Sequence, residues 1–330
     1  MEKNHCSRKH LRIAWILPVA VMFATVVSVS QAQQATGGAV EAESVKVRSF
    51  HVTGGPEAVV FDGTNIWVAS HISNTVKALR AKDGVELGKY DVGQRPVALA
   101  YDKKNIWVAN LFDNTVMKLR ATDGAVLGTF RVGKQPTALL FDGTSIWVAN
   151  SKSNSVMKLR ATDGARLGTF AVGRRPMAMA YDGANIWVTN NDSHSVTKLR
   201  ASDGETLGTF DAGDNPIGIA FDGANLWVAN FYKSSVTKLQ ASDGTLLGTY
   251  EVEDGPSGVT FAEEHIWVSN YGANTISKIE PRDGTVISTI AVGSGPSPVI
   301  FDGRNIWLAS SGSNSVLKVS KKKPSPPAHQ

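Results

Sequence analysis

A chain of 330 residues, of which 42% are apolar and 19% charged, has the composition of an ordinary globular protein and not that of a disordered chain. The formal net charge of +5 falls to +2 without residues 1–32, which hold four Lys/Arg and one acidic residue. The body of the protein is therefore close to neutral, and we expect no nucleic-acid partner.

Residues 1–32 have the pattern of a secretory signal peptide. A basic start precedes an apolar run over residues 13–29, and the small residues after it place cleavage near Ala32. The alternative is an uncleaved membrane anchor, because seventeen residues approach the length that spans a bilayer. Pro18 interrupts the run and favours cleavage. We predict a periplasmic or secreted protein with no transmembrane segment after cleavage.

The only cysteine, Cys6, lies within the predicted signal, so the mature chain has no thiol for a disulfide or a metal. We predict a linker over residues 33–44. At the other end, three lysines and three prolines favour a disordered tail over residues 321–330. The intervening residues 45–320 are repetitive.

A forty-residue repeat runs through this central part of the chain. Seven tryptophans and seven prolines recur at that interval without an insertion: Trp67, Trp107, Trp147, Trp187, Trp227, Trp267 and Trp307, and Pro56, Pro96, Pro136, Pro176, Pro216, Pro256 and Pro296. Within one unit, residues 96–133, turn residues separate four short apolar or alternating runs, which predict four strands. Asp-Gly pairs such as Asp142-Gly143 suit the tight turns between antiparallel strands.

Four-stranded repeats that cannot cover both of their own faces must stack on their neighbours, and in a closed ring this predicts a β-propeller. The last copy stops after its third strand at Ser320, and an unmatched fourth strand, residues 45–52, precedes the first copy. We therefore predict an all-β fold with seven blades of four antiparallel strands over residues 45–320. The N-terminal strand completes the last blade and closes the ring.

The tryptophan lies in the second strand of each repeat. Strand alternation places Ile106 and Val108 on one face of the sheet and Trp107 and Ala109 on the other. In a propeller both faces meet a neighbouring blade. We therefore interpret the seven tryptophans as packing residues and not as ligand-stacking residues.

Residues 146–183, IWVANSKSNSVMKLRATDGARLGTFAVGRRPMAMAYDG, resemble the YVTN family of β-propeller repeats, with tryptophan in place of the usual tyrosine. The resemblance covers all seven repeats and implies an exported binding or surface module. Residues 221–230, FDGANLWVAN, are also similar to repeats of the streptogramin-lyase (virginiamycin B lyase) propellers, which use histidine and a divalent metal on one face. The histidines of the body match no motif of that site: His51, His71, His194 and His265.

Comparison of the internal copies locates the positions that vary. In a propeller, the turns between strands two and three share one rim with the links between blades, and these segments differ between copies here; we call this surface the variable rim. It carries basic Arg95, Lys134, Arg174 and Arg175, acidic Asp214, Glu253 and Asp254, and aromatic Phe112, Phe231, Tyr232 and Tyr271. The opposite rim repeats Asp-Gly, which indicates turn geometry, and no single turn supplies the roughly six oxygens that Ca²⁺ requires.

We hypothesise that the basic and aromatic residues of the variable rim bind an anionic, carbohydrate or peptide ligand, or a protein partner. Cationic side chains favour carboxylate or phosphate, and exposed aromatic rings suit sugar or peptide faces. The alternative is that these side chains are solvated loop residues without a ligand.

The sequence contains no GxSxG, HExxH or phosphate-binding glycine loop. We therefore predict no catalytic residue, no metal site, no cofactor and a monomeric protein. An acid–base pair on the rim, such as His194 with an aspartate, keeps a lyase or hydrolase of the streptogramin-lyase type as the alternative function.

Overall fold

The computed structural model describes residues 45–321, which form seven four-stranded antiparallel sheets. The predicted signal peptide, the linker over 33–44 and the tail beyond Lys321 lie outside the described residues. The last strand ends at Lys321, one residue past the predicted end of the propeller.

Blades 1 to 6 each contain four consecutive strands. Blade 1 contains β2 (Pro56–Phe61), β3 (Asn65–Ser70), β4 (Thr75–Arg80) and β5 (Glu86–Asp91), and blade 2 contains β6 (Pro96–Tyr101), β7 (Asn105–Asn110), β8 (Thr115–Arg120) and β9 (Val126–Arg131). Blade 3 contains β10 (Pro136–Phe141), β11 (Ser145–Asn150), β12 (Ser155–Arg160) and β13 (Arg166–Ala171), and blade 4 contains β14 (Pro176–Tyr181), β15 (Asn185–Asn190), β16 (Ser195–Arg200) and β17 (Thr206–Asp211).

The remaining blades follow the same plan. Blade 5 contains β18 (Pro216–Phe221), β19 (Asn225–Asn230), β20 (Ser235–Gln240) and β21 (Leu246–Glu251), and blade 6 contains β22 (Pro256–Ala262), β23 (His265–Asn270), β24 (Thr275–Ile279) and β25 (Val286–Ala291). Blade 7 combines β26 (Pro296–Phe301), β27 (Ile306–Ser310) and β28 (Ser315–Lys321) with β1 (Val45–His51). Short 3₁₀ helices follow the second strand in blades 3, 4, 5 and 7: Ser151–Ser153, Asn191–Ser193, Phe231–Lys233 and Ser311–Ser313.

The seven blades form a closed ring, as the sequence predicts. The first strand of each blade contacts the first strands of the two neighbouring blades, and β26 contacts β2 at the seam. Strand β1 pairs with β28 in continuous antiparallel register from Val45 opposite Lys321 to His51 opposite Ser315. The ends of the repeat array are therefore joined by main-chain hydrogen bonds within one sheet.

The hydrophobic core consists of seven clusters, one at each interface between blades. Trp67 of blade 1 packs with Ile106 and Val108 of blade 2, and at the seam Trp307 of blade 7 packs with Ile66 and Val68 of blade 1. This arrangement confirms that each tryptophan faces the following blade. The aliphatic residues on either side of it in the strand face the preceding blade.

An aspartate anchors the tryptophan in six of the seven blades. In blade 1, Asp62 accepts a hydrogen bond from the indole Nε1 of Trp67 at 2.7 Å, and its other oxygen accepts the backbone N–H groups of Thr64 and Asn65 at 2.8 and 2.6 Å. The same indole bond is made by Trp107, Trp147, Trp187, Trp227 and Trp307. The sequence indicates only a turn-forming role for these aspartates. The structure shows that they also hold the indole of the tryptophan.

A lysine links the tryptophan of one blade to the next blade. The Nζ atom of Lys118 lies 5.1 Å from the centroid of the Trp107 ring and donates hydrogen bonds to the carbonyls of Ala161 and Thr162 in blade 3 at 2.7 and 3.0 Å. Ring stacking adds a further contact, since Phe130 lies 5.5 Å from the Trp107 ring. The buried ammonium group is thus stabilised by carbonyl oxygens and an aromatic face.

The glycine of the turn between strands three and four serves two purposes. Gly124 has φ of +72°, which side chains rarely adopt, and a Cβ atom there would lie 2.0 Å from Cε1 of Tyr90 in the preceding blade. Turn geometry and close packing between blades therefore both require glycine at this position.

Blade 6 lacks most of these contacts around its tryptophan. Ala262 occupies the position of the aspartate, and a tight turn follows in which Glu263 and Glu264 have φ of 50° and 63°. The Nε1 atom of Trp267 is buried and has no hydrogen-bond partner within residues 45–321. Ile290 stands where Tyr250 stacks on the tryptophan of blade 5. Blade 6 is therefore an internal control for the aspartate bond.

We predict that Trp227→Phe destabilises the protein by about 1–3 kcal/mol more than Trp267→Phe. Both changes remove a similar buried volume, but only the first removes a hydrogen bond to a half-buried carboxylate. The free energy of unfolding in denaturant measures the difference. Equal losses in the two variants would show that the aspartate bond contributes nothing to stability.

The anchoring aspartates also make stability depend on pH. Burial raises the pKa of Asp222, but the hydrogen bonds from Trp227 and from the backbone N–H groups of Ala224 and Asn225 outweigh it and hold the pKa below its ordinary value. The pKa is lowered for the same reasons in Asp142, Asp182 and Asp302. Because the folded state stabilises the ionised carboxylate relative to the unfolded state, these groups contribute stability above pH about 4. That contribution is lost as the pH falls through the lowered pKa.

We expect the free energy of unfolding of the wild-type protein to fall as the pH drops from 4 towards 2.5. Asp222→Asn should be less stable at pH 7, and its deficit relative to wild type should shrink at low pH, where Asp222 itself is protonated. Denaturant unfolding at pH 7, 4 and 3 tests this, and a deficit that stays constant over this range would contradict it.

Candidate functional site

The variable rim is built on a repeated hydrogen-bond framework. An asparagine with left-handed φ ends the turn between strands two and three and accepts the backbone N–H of the following link: Asn74 from Arg95 and Asn114 from Gln135, both at 2.8 Å. Because the backbone is fixed in this way, the variable side chains project from a rigid scaffold.

His194 belongs to this framework. It stands where five of the other blades have asparagine and blade 5 has Ser234, with φ of 54°, and its Nδ1 accepts the backbone N–H of Asn215 at 3.1 Å. The carboxylate of Asp214 lies 3.7 Å from the same nitrogen and also pairs with Lys233 at 3.4 Å. The nitrogen that faces the aspartate is therefore already an acceptor, which disfavours His194 and Asp214 as an acid–base pair.

The predicted basic residues divide into two groups. Arg174 and Arg175 both engage Asp192: Nη2 of Arg174 donates to its carbonyl at 3.0 Å, and Nη1 of Arg175 lies 3.4 Å from its carboxylate. All three side chains are exposed, so the ion pair is weak, but it reduces the net positive charge at this position.

Lys134 lies instead in a depression of about 220 Å³ between blades 2 and 3. The residues that line it are Leu111, Phe112, Asn114, Lys134, Gln135 and Lys152. The backbone N–H of Lys152 donates to the carbonyl of Lys134 at 3.1 Å, so the two lysines are direct neighbours. Within residues 45–321 neither ammonium group has a hydrogen-bond or ion-pair partner.

Phe112 and Arg95 extend this basic surface towards blade 1. The Phe112 side chain is 55% exposed, and the guanidinium carbon of Arg95 lies 5.3 Å from the centroid of its ring. The Nε atom of Arg95 is buried and lacks a hydrogen-bond partner in the described part of the chain. The structure thus places Arg95, Phe112 and Lys134 on adjacent parts of one surface.

The other three predicted aromatic residues form a second cluster, on blades 5 and 6. Tyr232 is 70% exposed and meets the ring of Phe231 edge to face at a centroid distance of 5.2 Å, and Tyr271 lies 6.3 Å from Phe231. Blade 4 separates this cluster from the depression between blades 2 and 3, so the eight predicted residues belong to distinct regions of the rim.

Sequence reasoning did not select Lys152 or the pair of His71 and Glu57. Lys152 occupies the same repeat position as Phe112, which is the signal that could have identified it. Nδ1 of His71 lies 2.8 Å from the carbonyl of Gly55 and 3.2 Å from Oε2 of Glu57. Glu57 stands on the first strand of blade 1, and no motif connects it to His71 in the sequence.

Two further structural findings concern residues 45–321. They contain no group of three histidine, cysteine or acidic side chains that could hold a metal ion, so the divalent metal of the streptogramin-lyase resemblance finds no matching ligand set there, and we derive no step through a metal. They also contain no helix of the length and apolar character that a membrane crossing demands.

Comparison with known proteins identifies the fold. No protein-family model matches the sequence, so none confirms the resemblance to YVTN repeats, and no curated protein matches it. Among solved structures, a streptogramin B lyase matches with a TM-score of 0.73 at 19% identity, over 84% of this chain and 98% of the other. A catalytically inactive virginiamycin B lyase from Staphylococcus aureus with quinupristin matches with a TM-score of 0.74 at 18% identity, over 84% and 100%.

A third similar structure is the hydrazine synthase of Kuenenia stuttgartiensis, with a TM-score of 0.71 at 16% identity, over 86% of this chain and 99% of the other. At these identities the likeness shows the propeller fold alone. The different activities in these names agree with the general rule that a fold supports many functions through the residues on its loops.

Proposed function

We propose that this protein is an exported binding or scaffold module that recognises an anionic ligand, or an acidic region of a partner, on the variable rim between blades 2 and 3. The observation that carries the proposal is the pair of unpartnered ammonium groups of Lys134 and Lys152 in a depression with the exposed ring of Phe112. Cations of one sign, close together and without a carboxylate partner, create a positive potential that an anion relieves.

We expect Lys134→Gln with Lys152→Gln to weaken binding of poly-L-glutamate or dextran sulfate by about tenfold or more, because charge-assisted hydrogen bonds are lost. Isothermal titration at low and high salt measures the affinity, which should fall as salt is raised. Arg174→Gln with Arg175→Gln is the matched control, since these cations already engage Asp192, and its affinity should stay within about threefold of wild type. Equal losses in both double variants, or none in the lysine variant, would refute the site.

A lyase or hydrolase is the second candidate, and the contact between His71 and Glu57 favours it. With its proton on Nδ1, His71 donates towards Glu57 and the Gly55 carbonyl, which leaves Nε2 available as a base. Incubation with quinupristin, the compound named with one of the similar lyase structures, tests this. Conversion that disappears in His71→Ala would support the enzyme, and a rate unchanged by that substitution would contradict it.

A further inference from the structure

The chemistry of the depression between blades 2 and 3 selects among anions. The residues that line it are rich in hydrogen-bond donors: besides Lys134 and Lys152, they include Asn114 and Gln135, whose side chains end in amides. The oxygen of Asn114 already accepts the backbone N–H of Gln135, so the NH₂ group of Asn114 is the part left for a ligand. The two lysines and the amide thus offer several hydrogen-bond donors to one bound group.

Neighbouring positions of the ring explain why the positive charge survives here. In blade 2, the carboxylate of Asp113 accepts the backbone N–H of Gln94 at 2.7 Å; one repeat later, the hydroxyl of Ser153 accepts the backbone N–H of Lys134 at the same distance. The side chain that accepts the link N–H is therefore acidic at the link between blades 1 and 2 and neutral at the link between blades 2 and 3, where the depression lies. At the following link, Asp192 reduces the charge of the arginines.

We infer that this depression binds the phosphate group of a small phosphate monoester, with the apolar or sugar part of the ester lying against Leu111 and Phe112. This inference rests on the proposed function and narrows its ligand class. A phosphate monoester presents three terminal oxygens and up to two negative charges, which suits two lysines and an amide better than the two oxygens and single charge of a carboxylate. The guanidinium group of Arg95 lies against the Phe112 ring on the side of blade 1.

Phenyl phosphate, inorganic phosphate and benzoate are the probes that test this inference, with titration followed by calorimetry and by ³¹P NMR. We expect phenyl phosphate to bind about tenfold or more tightly than benzoate, and more tightly than inorganic phosphate because of the aromatic wall. Binding should strengthen between pH 5 and 7.5, since the phosphate gains its second charge near pH 6. Phe112→Ala should weaken phenyl phosphate but leave inorganic phosphate within about twofold.

Ser153→Asp provides the sharpest variant, because it introduces the carboxylate that Asp113 supplies one repeat earlier and leaves both lysines in place. We expect it to weaken phenyl phosphate by about tenfold or more while the melting temperature stays close to that of wild type. Asp113→Ser is the matched control and should not weaken binding. An unchanged affinity in Ser153→Asp would overturn the inference.

The outcomes separate this inference from the proposed function. If benzoate binds as tightly as phenyl phosphate, with the same dependence on Lys134 and Lys152, the anion site stands and the phosphate preference is wrong. If poly-L-glutamate binds through the two lysines but no phosphate probe does, the inference alone fails. If no anion binding depends on these lysines, both are wrong.

Discussion

In six of the seven blades, the hydrogen bond from a buried indole to the aspartate of the first turn is the interaction on which the packing around the tryptophan depends. A blade with two apolar faces needs large side chains between it and its neighbours, and tryptophan supplies the largest apolar surface together with one polar atom that must be satisfied. The aspartate satisfies that atom and two backbone N–H groups of its own turn. In these six blades an aromatic side chain packs on the indole ring that the aspartate holds.

A lysine on the third strand connects the tryptophan of one blade to the backbone of the next blade. Lys158 and Lys198 repeat the contact of Lys118 with a tryptophan ring and with two carbonyls about forty residues further along the chain. Blade 1 has Ala78 at this position and lacks the contact there. Most blades have both the lysine and the aspartate. The closed ring of blades therefore tolerates the missing lysine of blade 1 and the missing aspartate of blade 6.

The fold was predictable from the sequence because the repeat has a constant length. Seven tryptophans in fixed register locate the strands, and the unmatched strand at residues 45–52 indicates how the ring closes. The roles of Asp62 and Lys118 were not predictable in the same way. Asp-Gly is already explained by turn geometry, and a strand lysine is ordinarily assigned to solvent; only the position of the adjacent blade shows otherwise.

The candidate site was predictable only as a surface. Sequence comparison among the repeats identifies the variable rim, but the effective charge of Arg175 depends on the approach of Asp192, and that of Lys134 depends on the neutral cap at Ser153. These two contacts join residues seventeen and nineteen positions apart, one between two side chains and one between a backbone N–H and a side chain. The internal repeat cannot reveal them, since it is at these positions that the copies differ.

The pairing of β1 with β28 has a consequence for how the molecule assembles. Most blades meet a partner that is adjacent in the chain, but the interface between Trp307 and Ile66 joins segments from opposite ends of the described sequence. Six blades can collapse in succession through contacts between adjacent repeats, whereas the last interface requires a slow, long-range encounter. Until it occurs, the apolar faces of the first and last blades have no partner within the chain, and we therefore expect ring closure to be the step at which folding and aggregation compete.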